Sequence, residues 1–377
     1  MQRNTTNQME ELNNIKDNKV SLAFAAIDKV LDIQVPELTE EVSKTNSYIK
    51  YGTDNTYPQF LGDLVENVST LKTVIYGTAN YVAGDDVICN IQNASSIVNK
   101  KGHTYRQIVE WAARDYLTYG GFALQVIRNK GNEISEIYYL DFRFVRSDKD
   151  NETFYYSEEF GKRYGRTSKM IVLPKFIKDS SVPSSIVYVK NTISGTYPIP
   201  RYSGAIKACL IEEAIDDLHL NSLSNGLMPS YMISFLNGVP TDEQKAEIEK
   251  DIQEKFCGAG NAGRVILNFA SGKDNGAQVD QLDITDFSEK YQAAAERSRE
   301  QIYTAFQAVP QLFGLTSIST GFNMQEFQEA FKLYNRTVVR GIQREICDVF
   351  DRIYGFKNVL TIKPFSIDDE DKELNVN

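Results

Sequence analysis

A few stretches of this sequence carry residue types whose spacing could do chemistry. Gly258-Ala259-Gly260-Asn261-Ala262-Gly263 matches G-x-G-x-x-G letter for letter. Glycines so spaced admit a phosphate to backbone N–H groups when a strand leads in and a helix opens after them. Here the order is reversed. A helical pattern ends at Phe256 and a strand pattern begins at Arg264, so a phosphate would meet a helix C-terminus, which repels anions. The stretch also overlaps a P-loop, but Arg264 and Val265 stand where Lys and Ser/Thr belong. A helix-to-strand turn is the expectation. Asp148, Asp150, Glu152 and Glu159 follow the spacing of a calcium loop. Thr153 replaces the glycine of its sharp turn and no helical pattern flanks it, so a solvated hairpin tip is expected. Glu212-Glu213 and Asp216-Asp217 could hold a metal in a nuclease, although adjacent acids on a helix usually mark a solvated or intersubunit face. His103 and His219 fall in different elements, and His219 is expected to pack within an apolar helix. With no H-x-x-x-H, no Cys/His cluster and no G-x-S-x-G, zinc and serine-hydrolase chemistry lack their parts. Neither an enzyme nor a cofactor or metal site is expected.

The elements around these residues follow from periodicity. Residues 1–45 are rich in Asn, Gln, Glu and Lys and read as a loosely held arm, with order beginning near Tyr57-Pro58. Pro58–Ala83 reads as one or two helices closed by Gly84. Thr104 and Gln107 have capping-box spacing for a helix reaching Gly120-Gly121. The pattern then turns to period two: Phe122, Leu124 and Val126, a turn at Lys130-Gly131, then strands at Ile137–Leu140, Phe142–Val145, Thr153–Tyr156, Met170–Leu173 and Ile186–Val189. Ser203 can cap a helix to about Ser224. Met232–Leu236 reads as a strand, Thr241 and Gln244 open a helix, and Arg264–Phe269 and Gln278–Leu282 read as strands. Asp286 and Glu289 have cap spacing for a helix to about Gln307, with Ser298, Ile302 and Phe306 on its apolar stripe. A loop, Val309–Asn323, precedes a long helix, Met324–Tyr354, and a strand, Val359–Ile362. Periodicity alone does not say whether that long helix is the core of a monomeric α+β protein or also serves an interface.

The chain has 377 residues, 42% of them hydrophobic, enough for several domains or for one elongated subunit with several lobes. Its net charge is −10, whereas a protein that grips DNA by neutralising phosphates is normally basic. Nucleic acid is therefore either not a partner or one contacted loosely. Cys89, Cys209, Cys257 and Cys347 are far apart, as reduced and mostly buried thiols would be. The polar start suggests no signal peptide, and no apolar run approaches the length of a membrane span.

From about Ser47 to Ile362, the order of elements and several phrases resemble the HK97-like phage portal family. The phrases are Tyr51-Gly52-Thr53-Asp54-Asn55-Thr56-Tyr57-Pro58-Gln59-Phe60, Trp111–Gly121 running into strands, and Pro200-Arg201-Tyr202-Ser203-Gly204-Ala205 before a helix ended by Asn225-Gly226. They continue with Gly258–Gly263, Val309-Pro310-Gln311-Leu312-Phe313-Gly314 and Ser319-Thr320-Gly321-Phe322-Asn323. The resemblance implies an α+β, elongated, multi-lobed portal subunit with a wing, two stem helices, a small α/β clip, a tunnel loop and a long wing helix. By that resemblance, 1–46 is a flexible arm, 47–200 the wing, 201–226 and 285–308 the stem helices, and 227–284 the clip. Residues 309–323 are the tunnel loop, 324–365 the long wing helix with its strand, and 366–377 an acidic tail. The helical crown of longer relatives is expected to be absent.

The implied function is a ring-shaped channel at the capsid vertex, of about twelve copies, closed by heterologous contacts. It would serve DNA packaging and ejection in the virion, after synthesis in the bacterial host cytoplasm. The implied partners are further copies of the chain, double-stranded DNA, the terminase large subunit, a head–tail adaptor and the major capsid protein, with no membrane. Leu315, Thr316, Ser317, Ile318, Ser319 and Thr320 would face DNA in the tunnel loop. Lys290, Arg297 or Arg299 would supply any basic ring in the stem, and Lys245, Glu249 and Arg264 would dock partners in the clip. The charge balance agrees with this, since each phosphate neutralised would add friction to a passing duplex. The competing classes are a metal-dependent nucleic-acid-processing enzyme of a mobile element, and a capsid scaffold or adaptor without a channel.

Overall fold

The computed structural model describes residues 39–43, 47–91, 96–160, 170–224, 232–235, 266–269, 284–314 and 324–365. The chain divides into two compact units, one made of 1–210 with 299–377 and the other of 211–298.

The larger unit opens with helices α1 (Tyr57–Asn67) and α2 (Ser69–Ala83), separated by the extended Val68. Pro58 occupies the first turn of α1, where its missing N–H costs nothing. After strand β1 (Asp86–Cys89) comes α3 (Tyr105–Tyr119), whose Thr104–Gln107 capping box forms in both directions and whose C-cap, Gly120, is left-handed. α3 packs on α2 and on β2 (Gly121–Arg128), burying Ile108, Ala112, Ala113 and Leu117 completely. β2 lies between β3 (Ile134–Leu140) and β7 (Ser184–Lys190), antiparallel to both. Phe122, Ala123 and Leu124 are consecutive and all fully buried, so this central strand is covered on both faces. A second antiparallel sheet has the order β4 (Val145–Ser147), β5 (Thr153–Tyr156), β6 (Ile171–Pro174).

The chain leaves this unit through α4 (Ile206–Ser224). The smaller unit holds a parallel strand pair, β8 (Met232–Phe235) and β9 (Ile266–Phe269), and most of α5 (Ile284–Ala305). Back in the larger unit, α6 (Met324–Tyr334), a π-helical turn (Asn335–Val339) and α7 (Arg340–Tyr354) run on without a break. The final strand, β10 (Leu360–Lys363), pairs antiparallel with β1.

Several sequence expectations are corrected. Order begins before Tyr57: the Glu40 carboxylate accepts from the Thr196 and Tyr197 N–H groups, and Tyr51 is fully buried. Phe142–Phe144 is a 3-10 turn instead of a strand, because the Asp141 side chain accepts from the Arg143 N–H and curls the backbone. Ser203 caps nothing; its N–H donates to the Pro200 carbonyl within a 3-10 turn that leads into α4. Asp286 lies inside α5, which begins at Ile284. The long terminal helix is continuous but widens to a π-helical turn where the Arg340 N–H reaches back five residues to the Asn335 carbonyl. His219 is exposed, since the apolar residues of α4 are spread around the helix without a single inward stripe.

Candidate channel site

Of the residues singled out from the sequence, Leu315 through Thr320, Lys245, Glu249 and Arg264 lie outside the described residues, as do the Gly258–Gly263 turn, the helix opened by Thr241 and the strand at Gln278–Leu282. Positions 290 and 297 fall on one face of α5, seven residues apart. Arg297 is exposed. Arg299 is half-buried and sits about 200° around the helix from Arg297. Positions 290 and 297 thus share a helix face from which position 299 is set apart.

The two flanks of the 315–323 segment are described, and they converge on one face of α2. On the leading side, Pro310–Phe313 forms a 3-10 turn ending at the left-handed Gly314. Its Leu312 carbonyl accepts from the Tyr81 hydroxyl at 2.9 Å. The Phe313 ring lies so close to Gly77 that a Cβ there would sit 2.8 Å from two ring carbons. On the trailing side, α6 sets Phe331 edge-on to Tyr81 at 5.5 Å and Tyr334 at 6.4 Å. Tyr334 is buried and shares a 2.7 Å hydrogen bond with Thr78. Phe313 and Tyr334 also meet edge to face at 5.7 Å. Burial, the largest influence, raises the Tyr81 and Tyr334 hydroxyls, the latter to about 12, so both are neutral at physiological pH. The sequence predicts the long helix that carries Phe331 and Tyr334, but gives no sign that Gly77, Thr78 and Tyr81 of a distant helix would receive them.

A second cluster explains the Tyr51–Phe60 phrase. Arg146 is fully buried and has no carboxylate partner among the described residues. Its donors go to the Arg143 and Val145 carbonyls at 2.8 Å each, to the Asn55 carbonyl at 2.8 Å and to the Asn55 side-chain oxygen. Asn55 adopts φ 67°, which lets that oxygen also accept from the Tyr51 N–H. Tyr51 stacks on Tyr197 at 4.0 Å, and Phe160 lies against the guanidinium at 4.8 Å. Burial lowers the Arg146 pKa, yet a group starting above 12 stays charged. Charge-assisted hydrogen bonds are worth about 1.5–3 kcal/mol each, so four of them offset a desolvation penalty of several kcal/mol. The arrangement is a structural pin and not a reacting group.

The other chemical candidates are also accounted for. Asp148 accepts from the Glu152 and Thr153 N–H groups, closing the hairpin tip. His103 stands edge-on to Trp111 at 4.9 Å, with Nδ1 against the Asn99 amide at 3.2 Å. Glu212 of α4 is buried while Asp216 and Asp217 are exposed. Among the described residues, no group of three His, Cys, Asp or Glu side chains could hold a metal ion, and no helix is long and apolar enough to cross a membrane.

A family model described as phage portal protein matches residues 64–363. The chain belongs to the phage portal protein family. This portal family member is 30% identical over 170 residues to an uncharacterized protein of Rickettsia felis, a match covering 41% of this chain and 40% of that protein. The chain thus spans about two fifths of the length of this curated relative. Its fold is similar to a chain in the neck of a native gene transfer agent particle, computed with C12 symmetry (TM-score 0.51, 19% identity, 83% of this chain and 85% of that one). It is also similar to an HK97 family phage portal protein from Corynebacterium diphtheriae (TM-score 0.50, 8% identity, 80% and 93%). At these identities the likeness is one of fold, and the mixed helix-and-strand portal fold is what the two share with this chain.

Proposed function

We propose that the chain is the subunit of a closed ring in a phage or phage-like particle, and that double-stranded DNA passes through the hole. One observation carries the reading: the portal family match runs from residue 64 to residue 363, most of the chain. The C12 symmetry of the neck particle whose chain it is similar to supports about a dozen copies. In this reading 47–200 and 324–365 form the wing, α4 and α5 the stem, 227–284 the clip, and 309–323 the tunnel loop with Leu315 to Thr320 toward DNA. Lys245, Glu249 and Arg264 then belong to the surface that docks the terminase and later the head–tail adaptor. Lys290 and Arg297 share the face of α5 that carries any basic ring. The ring does no catalysis. Its work is steric and electrostatic, passing a polyanion through an acidic assembly that offers few phosphate anchors.

Exposed apolar residues support assembly. Ile211, Leu218 and Leu220 of α4 are 39%, 36% and 63% exposed in the single chain, apolar surface that a neighbouring copy could cover. The test is mass photometry with negative-stain imaging of the purified chain. Rings with a central hole are expected, and a clean monomer at high concentration would sink the reading. Replacing 315–320 by a Gly/Ser linker should leave rings intact and impair DNA packaging or retention; normal packaging and retention would remove the tunnel assignment.

A further inference from the structure

We propose that the Gly77–Thr78–Tyr81 face of α2 is the positioning element of the DNA channel, with Tyr81 as its central residue. It holds both chain ends that carry residues 315–323 at a fixed separation. The inference rests on the tunnel-loop reading and adds what sets that loop's place relative to the wing.

The argument is geometric. Gly77, Thr78 and Tyr81 stand at i, i+1 and i+4, on one side of a helix whose neighbouring residues Val74, Ile75, Ala79 and Val82 are fully buried. The mount is thus fixed in the core of the larger unit. Each of the three takes hold of a flank by a different interaction. Gly77 admits the Phe313 ring, Thr78 bonds the Tyr334 hydroxyl, and Tyr81 bonds the Leu312 carbonyl while its ring meets Phe313, Phe331 and Tyr334. Tyr81 is the one side chain of this face that touches both flanks. It is only half-buried, and its hydroxyl contributes a backbone-directed bond that phenylalanine could not supply. Tyr81 also meets Phe365, two residues past β10, at 6.0 Å.

The test compares full-length Tyr81→Phe, Gly77→Ala and Leu71→Val subunits in assembled particles, alongside the 315–320 linker replacement. Leu71→Val creates a small core defect in the same helix, away from the mount. All three substitutions are expected to assemble. Losing one net hydrogen bond shifts the seated-to-unseated ratio by about fivefold, so Tyr81→Phe should lower retained DNA by a factor of up to about five. Gly77→Ala, which displaces Phe313, should do at least as much, while Leu71→Val retains DNA normally. Normal retention in both mount variants, with the linker replacement impaired, overturns this inference and leaves the tunnel reading standing. Normal retention in the linker replacement overturns the tunnel reading itself. Equal losses in Leu71→Val and Tyr81→Phe at matched melting temperature reduce the effect to stability and overturn the positioning role.

Discussion

Helices α3 and α4 differ in how much of their surface the single chain can satisfy. α3 is closed at both ends by its own cap residues, and it buries apolar side chains against α2, α7 and β2. α4 buries Ile206, Ala208 and Cys209 near its start, then exposes Ile211, Leu218 and Leu220. A helix of the first kind is complete in isolation. A helix of the second kind carries apolar surface that, in the proposed ring, a neighbouring copy would cover. On that proposal the larger unit holds the folding signals and α4 contributes to assembly.

That contrast can be broken at named positions. The largest effect is expected at Arg146→Ala, which strands several buried carbonyl acceptors and should cost on the order of 3–5 kcal/mol. Chemical denaturation of the purified chain would read it, and an unchanged midpoint would show that the guanidinium is dispensable. Leu220→Asp should leave the circular dichroism spectrum of the subunit unchanged while shifting mass photometry from rings to small species. Ring formation at wild-type concentration would break the assembly half of the comparison.

A smaller effect concerns pH. Asp115 of α3 is buried and accepts from the Phe142 N–H. Burial, reinforced by the charge of Asp141, holds its pKa well above the usual carboxylate range. A raised acid binds its proton more tightly in the folded state. Folding stability is therefore undiminished below the unfolded pKa of about 4 and falls as pH rises toward the folded value. Asp115→Asn should raise the melting temperature at neutral pH and flatten its dependence above pH ~4; an unchanged slope would show the carboxylate to be ionised at no cost. The smallest effect is expected at Thr104→Ala, which removes half of a capping box and should cost about 1 kcal/mol without affecting assembly.

Much of the larger unit was legible because its signals are local. The Thr104–Gln107 box, the left-handed Gly120 and the β-branched run of β7 each declare their structure within a few residues. What escaped was non-local or carried by side chains competing with the backbone. Asp141 turned an apparent strand into a 3-10 turn, and β1 is too short to register before β10 supplies its partner. Within the candidate channel site, the long helix after the loop and the break near Pro310 were visible. Their seat on α2 was not, because Gly77 and Tyr81 have ordinary helical neighbours and acquire meaning only from residues more than two hundred positions away. Arg146 escaped for a related reason: a lone arginine in a strand pattern looks solvated until its four carbonyl and amide acceptors are seen closing around it.

The pairing of β1 with β10 joins Asp86–Cys89 to Leu360–Lys363, and the Asn90 amide adds a bond to the Asn358 carbonyl. A nascent chain cannot make these bonds until residues 360–363 have left the ribosome. Products terminated before that point therefore leave the backbone groups of Asp86–Cys89 without their strand partner. In the proposed ring, such truncated copies would arrive with an unfinished two-stranded sheet.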